Sequence, residues 1–408
     1  MSHFEDLTTQ CIRCGFCLED CPTFVTTGNE LESPRGRIYL IRSAIEGKLD
    51  WVKDVSPHTD LCLGCRACET ACPSGVQYGA ILEIARQEIN NRQPHPLRKA
   101  FLATTTNATI LKSQLALSRL LPGDKIPTPL SRLLSGQSPE VNLPQPQKVP
   151  QLPEITQQLP HRGEIYFLEG CAMKVLYPRV HLASKRLLTR LGFTVRETTQ
   201  GCCGALHAHN GEMPTARTMA NKLIASFPDN LPIVVNSAGC GSTMKEYHHL
   251  LAEESNDKTT EDFTRRVIDI SDFLLQNGLP ELLQKSIGLS GKKVTYHDAC
   301  HLAHGQKITH SPRNLIQSIP GIEYIELPEA SMCCGSAGIY NVLQPTMART
   351  LLDRKVNNIQ SIQPDFIATG NPGCHGWINQ GCQEQSLGTV LHTAELLEAS
   401  FVGVNYFA

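Results

Sequence analysis

The 408-residue sequence has no apolar run long enough to cross a bilayer. It has no excess of one charge either. Lys plus Arg number 37, Asp plus Glu 39, and the formal net charge of −2 carries no nucleic-acid signal. The first residues, MSHFEDLTTQ, are polar and run straight into Cys11, leaving no room for the apolar core of a signal peptide. A cytoplasmic location is therefore expected. No G-x-G-x-x-G follows a strand-like segment and no Walker motif is present, so nothing reads as a flavin or nucleotide site. What remains, at 41% hydrophobic and 19% charged residues, is a soluble globular composition with enough length for two or three domains.

The sequence is rich in cysteine, with 17 residues. Disulfides are disfavoured in a cytosolic chain, and soft-metal ligation is the usual alternative. Eight cysteines fall in two runs, CIRCGFCLEDCP from Cys11 and CLGCRACETACP from Cys62. Both read C-x2-C-x2-C-x3-C-P, the run of bacterial ferredoxins, in which the fourth cysteine serves the other cluster. This predicts two [4Fe–4S] clusters with crossed fourth ligands. Cys11, Cys14, Cys17 and Cys72 hold one; Cys62, Cys65, Cys68 and Cys21 hold the other. Structural zinc wants ligands in pairs, and a radical-SAM centre leaves the duplication unexplained. The 40-residue spacer between the runs has apolar residues at helical spacing (Ile38, Ile41, Ile45, Leu49) after Pro34, which predicts a helical domain over residues 1–93. Arg35 and Arg37 are candidates to offset cluster charge.

Residues 94–160 contain no cysteine and eleven prolines, which predicts an extended connector over their second half. Their first part, 97–121, carries Arg98, Lys99, Lys112 and Arg119, no acidic residue, and apolar residues at roughly helical spacing. Such a helix either packs its apolar side on the rest of the chain or lies loosely on the inner face of an anionic membrane.

The other nine cysteines lie in an internal repeat, expected as units 161–285 and 286–408. A strand-like segment ends at Cys171 in one copy and at Cys300 in the other. GCCG at 201–204 is matched by MCCG at 332–335. A Pro-initiated helix follows, then a strand ending near Cys240 or Cys374. The matched cysteines are 129, 131 and 134 residues apart. Alternating strands and helices predict a parallel sheet in each copy, with the cysteines at the carboxyl ends of strands. Adjacent cysteines reach one site only if the chain bends, and Gly204 and Gly335 supply that freedom. Two further ligand sets are candidates: Cys171, Cys202, Cys203 and Cys240, and Cys300, Cys333, Cys334 and Cys374. The bland alternative is a set of reduced, buried thiols. Cys382 falls outside both sets. His297, His301 and His304 crowd Cys300, each a candidate proton donor or ligand but individually more in keeping with a structural role. Asp298 is read as a turn cap.

These repeats resemble the CCG (cysteine-rich) domain of heterodisulfide-reductase-like proteins. The chain as a whole resembles the iron–sulfur subunits of glycolate oxidase (glycolate dehydrogenase), on SPRGRI at 33–38, NSAGCGSTMKEY at 236–247, HDACHLAHGQ at 297–306, CCGSAGIYN at 333–341 and NPGC at 371–374. Subunits serving lactate or glycerol-3-phosphate dehydrogenases share the architecture. The fullest CCG motif ends in C-x2-C; here Thr243 and Trp377 stand where the last cysteine would be. The resemblance implies an α+β multidomain protein, with an α-helical ferredoxin domain and two α/β CCG repeats that can carry further [4Fe–4S] clusters. It implies an electron-transfer subunit with an FAD-containing partner that oxidises the 2-hydroxy acid, and a quinone or other acceptor. A catalytic subunit acting at a CCG cluster, or a scaffold with empty CCG cysteines, are the other readings.

Overall fold

The computed structural model describes residues 3–118, 132, 141–142, 144–252, 258–403 and 406. Between residues 3 and 92 the regular elements are all helices, joined by the loops that carry the cysteine runs. The spacer between the cysteine runs forms the helix Pro34–Ile45, with Pro34 in its first turn and the Ser33 side chain accepting from the Gly36 N–H. Such a cap is worth about 1 kcal/mol. The helix buries Ile38, Ile41 and Ala44 against Ile81, Leu82 and Ala85 of the helix Tyr78–Arg92.

The basic stretch is two helices, Pro96–Thr105 and Ala108–Ser118, rather than one. The break falls at Thr106 and Asn107, whose side chain takes up the amides of Thr109 and Ile110 as a new start. Arg119, Leu120 and Leu121 lie outside the described residues, as do Pro122, Pro127, Pro129 and Pro139. Leu102, Leu111 and Leu115 are buried. Arg98 is bonded to Asp60 and Asn210, and Lys99 lies 3.4 Å from Glu212. Among the described residues no helix is long and apolar enough to cross a membrane.

Each repeat is a four-stranded parallel sheet. In the first, β1 (Gly163–Leu168), β2 (Phe193–Arg196), β3 (Ile233–Val235) and β4 (Val267–Asp269) stand in the order β2-β1-β3-β4. In the second, β5 (Lys293–His297), β6 (Glu323–Tyr324), β7 (Phe366–Thr369) and β8 (Thr389–His392) stand in the order β6-β5-β7-β8. β1, β3, β5 and β7 are mostly buried, as strands covered on both faces must be, with Thr295 and His297 of β5 as buried polar residues. β4 and β8 were not anticipated from sequence; each is short and leads directly into a helix, Ile270–Gln276 or Thr393–Val402.

Those two helices tie the repeats together. Thr393–Val402 of the second repeat packs on Pro178–Arg190 of the first, and Ile270–Gln276 of the first packs on His310–Gln317 of the second. The Ala238 amide bonds to the Gly370 carbonyl, and Asn371 Oδ1 accepts from the Gly239 amide. The loops after β3 and β7, which carry Cys240 and Cys374, therefore abut across an approximate two-fold relation.

Candidate iron–sulfur centres

The two ferredoxin-type runs turn in the same way at two matching positions. Arg13 and Gly15 are left-handed in the first run, Gly64 and Arg66 at the matching positions of the second. A left-handed arginine costs about 1–2 kcal/mol, and the two turns per run curl the thiols toward one point. Cys21 starts the helix Pro22–Thr27, whereas Cys72 follows a short helix, Ala67–Thr70, and starts none.

Cys21, Cys62, Cys65 and Cys68 are all buried and line one small cavity with Arg37 and Tyr78. Burial pushes the Cys68 thiol far up, and neighbouring Cys65, Cys62 and Cys21 add to it. Tyr78 Oη and the Gly64 amide point at Cys62 Sγ, at 3.5 and 3.4 Å. Arg37 lies beneath, bonded to Glu32, Thr23 and the His58 carbonyl. Burial opposes charge on Arg37, but Cys62, Tyr78, Cys21 and Glu32 outweigh it and keep the guanidinium charged. Arg35 belongs to the other centre. Its Nη1 bonds to the Arg13 carbonyl, and it feels Cys17 and Cys11. Burial lifts Cys17 to about 11. Cys14 is exposed, and Cys11, Cys17 and Cys72 are half-buried.

In each repeat the four anticipated cysteines form a continuous chain of thiol contacts. In the first, Cys171 Sγ lies 3.4 Å from Cys202 Sγ, Cys202 contacts Cys203, and Cys203 contacts Cys240. In the second the chain runs Cys300, Cys333, Cys334, Cys374. Gly204 and Gly335 have φ of 82° and 89°, and a Cβ on Gly335 would sit 2.7 Å from the Ala348 carbonyl oxygen. The bend between vicinal cysteines thus needs glycine on two counts. Cys382 is buried apart from both sets, and burial pushes it to about 12.

Two side chains near the second set carry more than the sequence conveyed. A ring nitrogen of His297 and the sulfurs of Cys334 and Cys374 lie within 4.8 Å of one another. Lys355 is buried, bonds to the Glu329 carbonyl, and feels Cys334 and Cys333; burial lowers it to about 8. It lies on the buried face of the helix Pro345–Ile362 with Leu351, Leu352 and Ile359. A lysine in that apolar register was the available signal. The other histidines are placed differently. His301 packs on His209 with ring centroids 4.8 Å apart, and His304 bonds to Thr70. Asp298 caps no turn; it takes both Arg313 nitrogens at 2.8 and 2.7 Å.

The residues fit iron–sulfur groups by their chemistry. All 17 cysteines are free, and twelve gather in three places: Cys21 with Cys62, Cys65 and Cys68, and the two repeat quartets; of the remaining set, Cys17 lies near Cys11. Burial that penalises a lone thiolate is offset when a metal centre displaces the protons.

The second ferredoxin-type set and the second repeat share one core: Leu63, Cys65 and Ala67 cluster with Cys300, Cys333, Cys334 and Cys374. Three of the segments that carry the family resemblance fasten the ferredoxin domain to the repeats, two from the second and one from the first. Tyr340 Oη donates to the Leu61 carbonyl, Arg66 binds Ser242 and Glu246, and His304 meets Thr70. Both repeat sets open into one cavity of about 1560 Å³, which His209, His301, Tyr177, Phe101 and Leu115 also line.

Comparison with known proteins agrees with this arrangement. The 4Fe-4S dicluster domain family matches residues 8–76, and the Cysteine-rich domain family matches 165–245 and 294–379. The probable glycolate oxidase iron-sulfur subunit of Bacillus subtilis (strain 168) is 34% identical over 95% of this chain and 92% of its own length. The chain belongs to the glycolate oxidase iron–sulfur subunit family. The Escherichia coli (strain K12) glycolate oxidase iron-sulfur subunit is 32% identical over 91% of this chain and 89% of its own. Lactate utilization protein A of Anoxybacillus flavithermus is 30% identical, covering 56% of this chain and 95% of itself. Members of the family are iron–sulfur subunits of oxidoreductases, and this chain is an electron-transfer subunit of that kind.

Proposed function

We propose that this chain receives electrons from an FAD-containing partner that oxidises glycolate or a similar 2-hydroxy acid, and delivers them toward a quinone or other acceptor. One observation carries the reading: Cys65 of the ferredoxin domain lies in the same buried core as Cys300 and Cys333 of the second repeat. Bound iron–sulfur clusters supply one-electron redox chemistry; the two-electron chemistry of the acid falls to a flavin. The ligand sets in this proposal are Cys11, Cys14, Cys17 and Cys72; Cys62, Cys65, Cys68 and Cys21; and the two CCG quartets. Cys21 beside Cys65 and Cys68 supports the crossing. Arg37 and Arg35 supply positive charge at one ferredoxin set each. The Tyr340 and Arg66 bonds hold the ferredoxin domain against the repeats.

The test uses the purified complex with its flavoprotein. Glycolate should reduce the clusters of this chain, read by paramagnetic resonance. The chain alone should not oxidise glycolate with an artificial acceptor, and turnover by the flavin-free chain contradicts the proposal.

The shared cavity favours a second reading, in which the chain itself reduces a disulfide or quinone between the repeats. Disulfide reduction by the isolated chain, driven by a chemical reductant and lost in Cys334→Ser, would select it.

A further inference from the structure

Of the 17 cysteines, only Cys14 is exposed. It is flanked two residues away on either side by Ile12 and Phe16, which are 68% and 69% exposed. Tyr39, Leu31 and Val25 are also exposed, so among the described residues five of the ten exposed large hydrophobic side chains lie between positions 12 and 39. Contacts of Arg13 and Arg35 join the Cys14 turn, Tyr39 and Leu31 into one surface. The Arg13 guanidinium lies 5.3 Å over the Tyr39 ring, Arg35 bonds to the Arg13 carbonyl, and Arg35 also binds Glu30 beside Leu31. Large apolar side chains are costly to leave in water, at roughly 25 cal/mol per Å², and a patch of them marks an interaction site.

We propose that this surface, centred on Cys14, is where the electron-donating flavoprotein docks. This rests on the function proposed above. Three observations choose the occupant. A donor must come close to a cluster-ligating thiol, and Cys14 is the one thiol at the surface. The other fifteen candidate ligands are half-buried or buried. The sequence has no flavin-binding fingerprint of its own, so the donor is a separate chain. Within residues 12–39 the exposed acids Glu19, Asp20 and Glu30 outnumber the exposed base Arg13, which disfavours an anionic membrane as the cover. Each transfer across the contact oxidises the partner by one electron and reduces this chain by one; protons released by the reduced flavin go to solvent.

The experiment measures binding of the purified flavoprotein and glycolate-driven reduction of this chain. Phe16→Asp lies within the cysteine run, so Leu31→Glu with Tyr39→Glu, outside it, forms a second variant. Ile287→Glu, 72% exposed on the repeats, is the control. Both patch variants should bind about tenfold more weakly or worse. Their iron content and their resonance spectrum after chemical reduction should match the wild type, and Ile287→Glu should behave as wild type throughout. Unchanged binding and unchanged glycolate-driven reduction in both patch variants would overturn the docking site. Conversion of a wild-type dimer of this chain to monomer by the patch variants, with flavoprotein binding intact, would also overturn it, assigning the surface to a second copy. If wild-type chain bound to flavoprotein is not reduced by glycolate at all, the functional proposal falls, and the docking assignment with it.

Discussion

The two CCG repeats carry the same four cysteines on the same strand ends, yet their surroundings differ. Three residues before Cys171 stands Leu168; three before Cys300 stands His297. Twenty-one residues after Cys203 stands Ile224; twenty-one after Cys334 stands Lys355. The second site therefore has a buried cation and an imidazole where the first has two aliphatic side chains. The second also shares a core with Cys65, whereas near the first set His207 contacts Thr106 of the connector, and Tyr247 donates to the Cys203 carbonyl. Duplication copied the ligand frame, and divergence around it gave the copies different charge and different neighbours. Added negative charge is better tolerated at the second site, on electrostatic grounds.

The interface between repeats is just as uneven. Where Thr393–Val402 meets Pro178–Arg190, Arg186 and Arg190 both bind the fully buried Glu398. The matching contact of Ile270–Gln276 with His310–Gln317 has the Ser311 hydroxyl donating to Asp272 at 2.6 Å. The largest expected effect follows. Glu398→Ala should cost about 3–5 kcal/mol, because it leaves buried arginines unpaired. Ser311→Ala should cost only about 1 kcal/mol. Equal losses in denaturant titrations would mean the asymmetry has no energetic weight.

Acid should act on the same interface. His392 Nδ1 accepts from the Ala394 amide, so its Nε2 carries the proton and donates to the Asn236 carbonyl, across the repeats. Asn236 in turn contacts His181. Burial holds both histidines down at about 4. The unfolded chain, with histidine near 6.5, binds more protons between those values, so stability falls as pH drops from about 6.5 toward 4. Each histidine contributes up to about 3 kcal/mol to this loss. His392→Gln should flatten part of the slope; an unchanged slope in thermal melts against pH would remove His392 from the account.

A smaller effect tests the charge difference directly. Lys355→Met should lower the midpoint potential of the second-repeat centre by on the order of 50–100 mV, with Lys355→Arg close to wild type. Ile224→Lys should raise the first-repeat potential in the same way. Redox titrations that leave both midpoints unmoved would separate potential from these side chains. Smallest of all is the effect expected of Lys112. It is exposed, whereas Arg98 and Lys99 are engaged within the chain. Lys112→Gln should weaken flotation with anionic liposomes at low salt by about 1 kcal/mol or less. An unchanged profile would show that the segment has no membrane role.

Much of this was legible in the sequence because the chemistry repeats. The two C-x2-C-x2-C-x3-C-P runs, the paired CCG segments and the Pro-initiated helices announced the ferredoxin domain, the parallel sheets and the two repeat quartets of cysteines. Short-range pattern does not report long-range exchange. Nothing in Val267–Asp269 or Thr389–His392 says that each closes a sheet and sends its helix onto the other repeat. Lys355 reads as one more surface charge unless its register with Leu351 and Ile359 is weighed. Asp298 looked local beside Cys300, but its partner Arg313 lies fifteen residues away. The connector helix divides because Thr106 and Asn107 bond to the backbone more readily than they extend the helix.

On the proposal above, the repeats hold clusters as the ferredoxin domain does. Iron counting on the anaerobically purified chain, with Cys334→Ser and Cys202→Ser beside it, tests this most directly. The account predicts about twelve or more irons per chain, and a loss of about four in a variant whose repeat is filled. About eight irons in the wild type, unchanged in both variants, would confine the clusters to the ferredoxin domain and contradict the account.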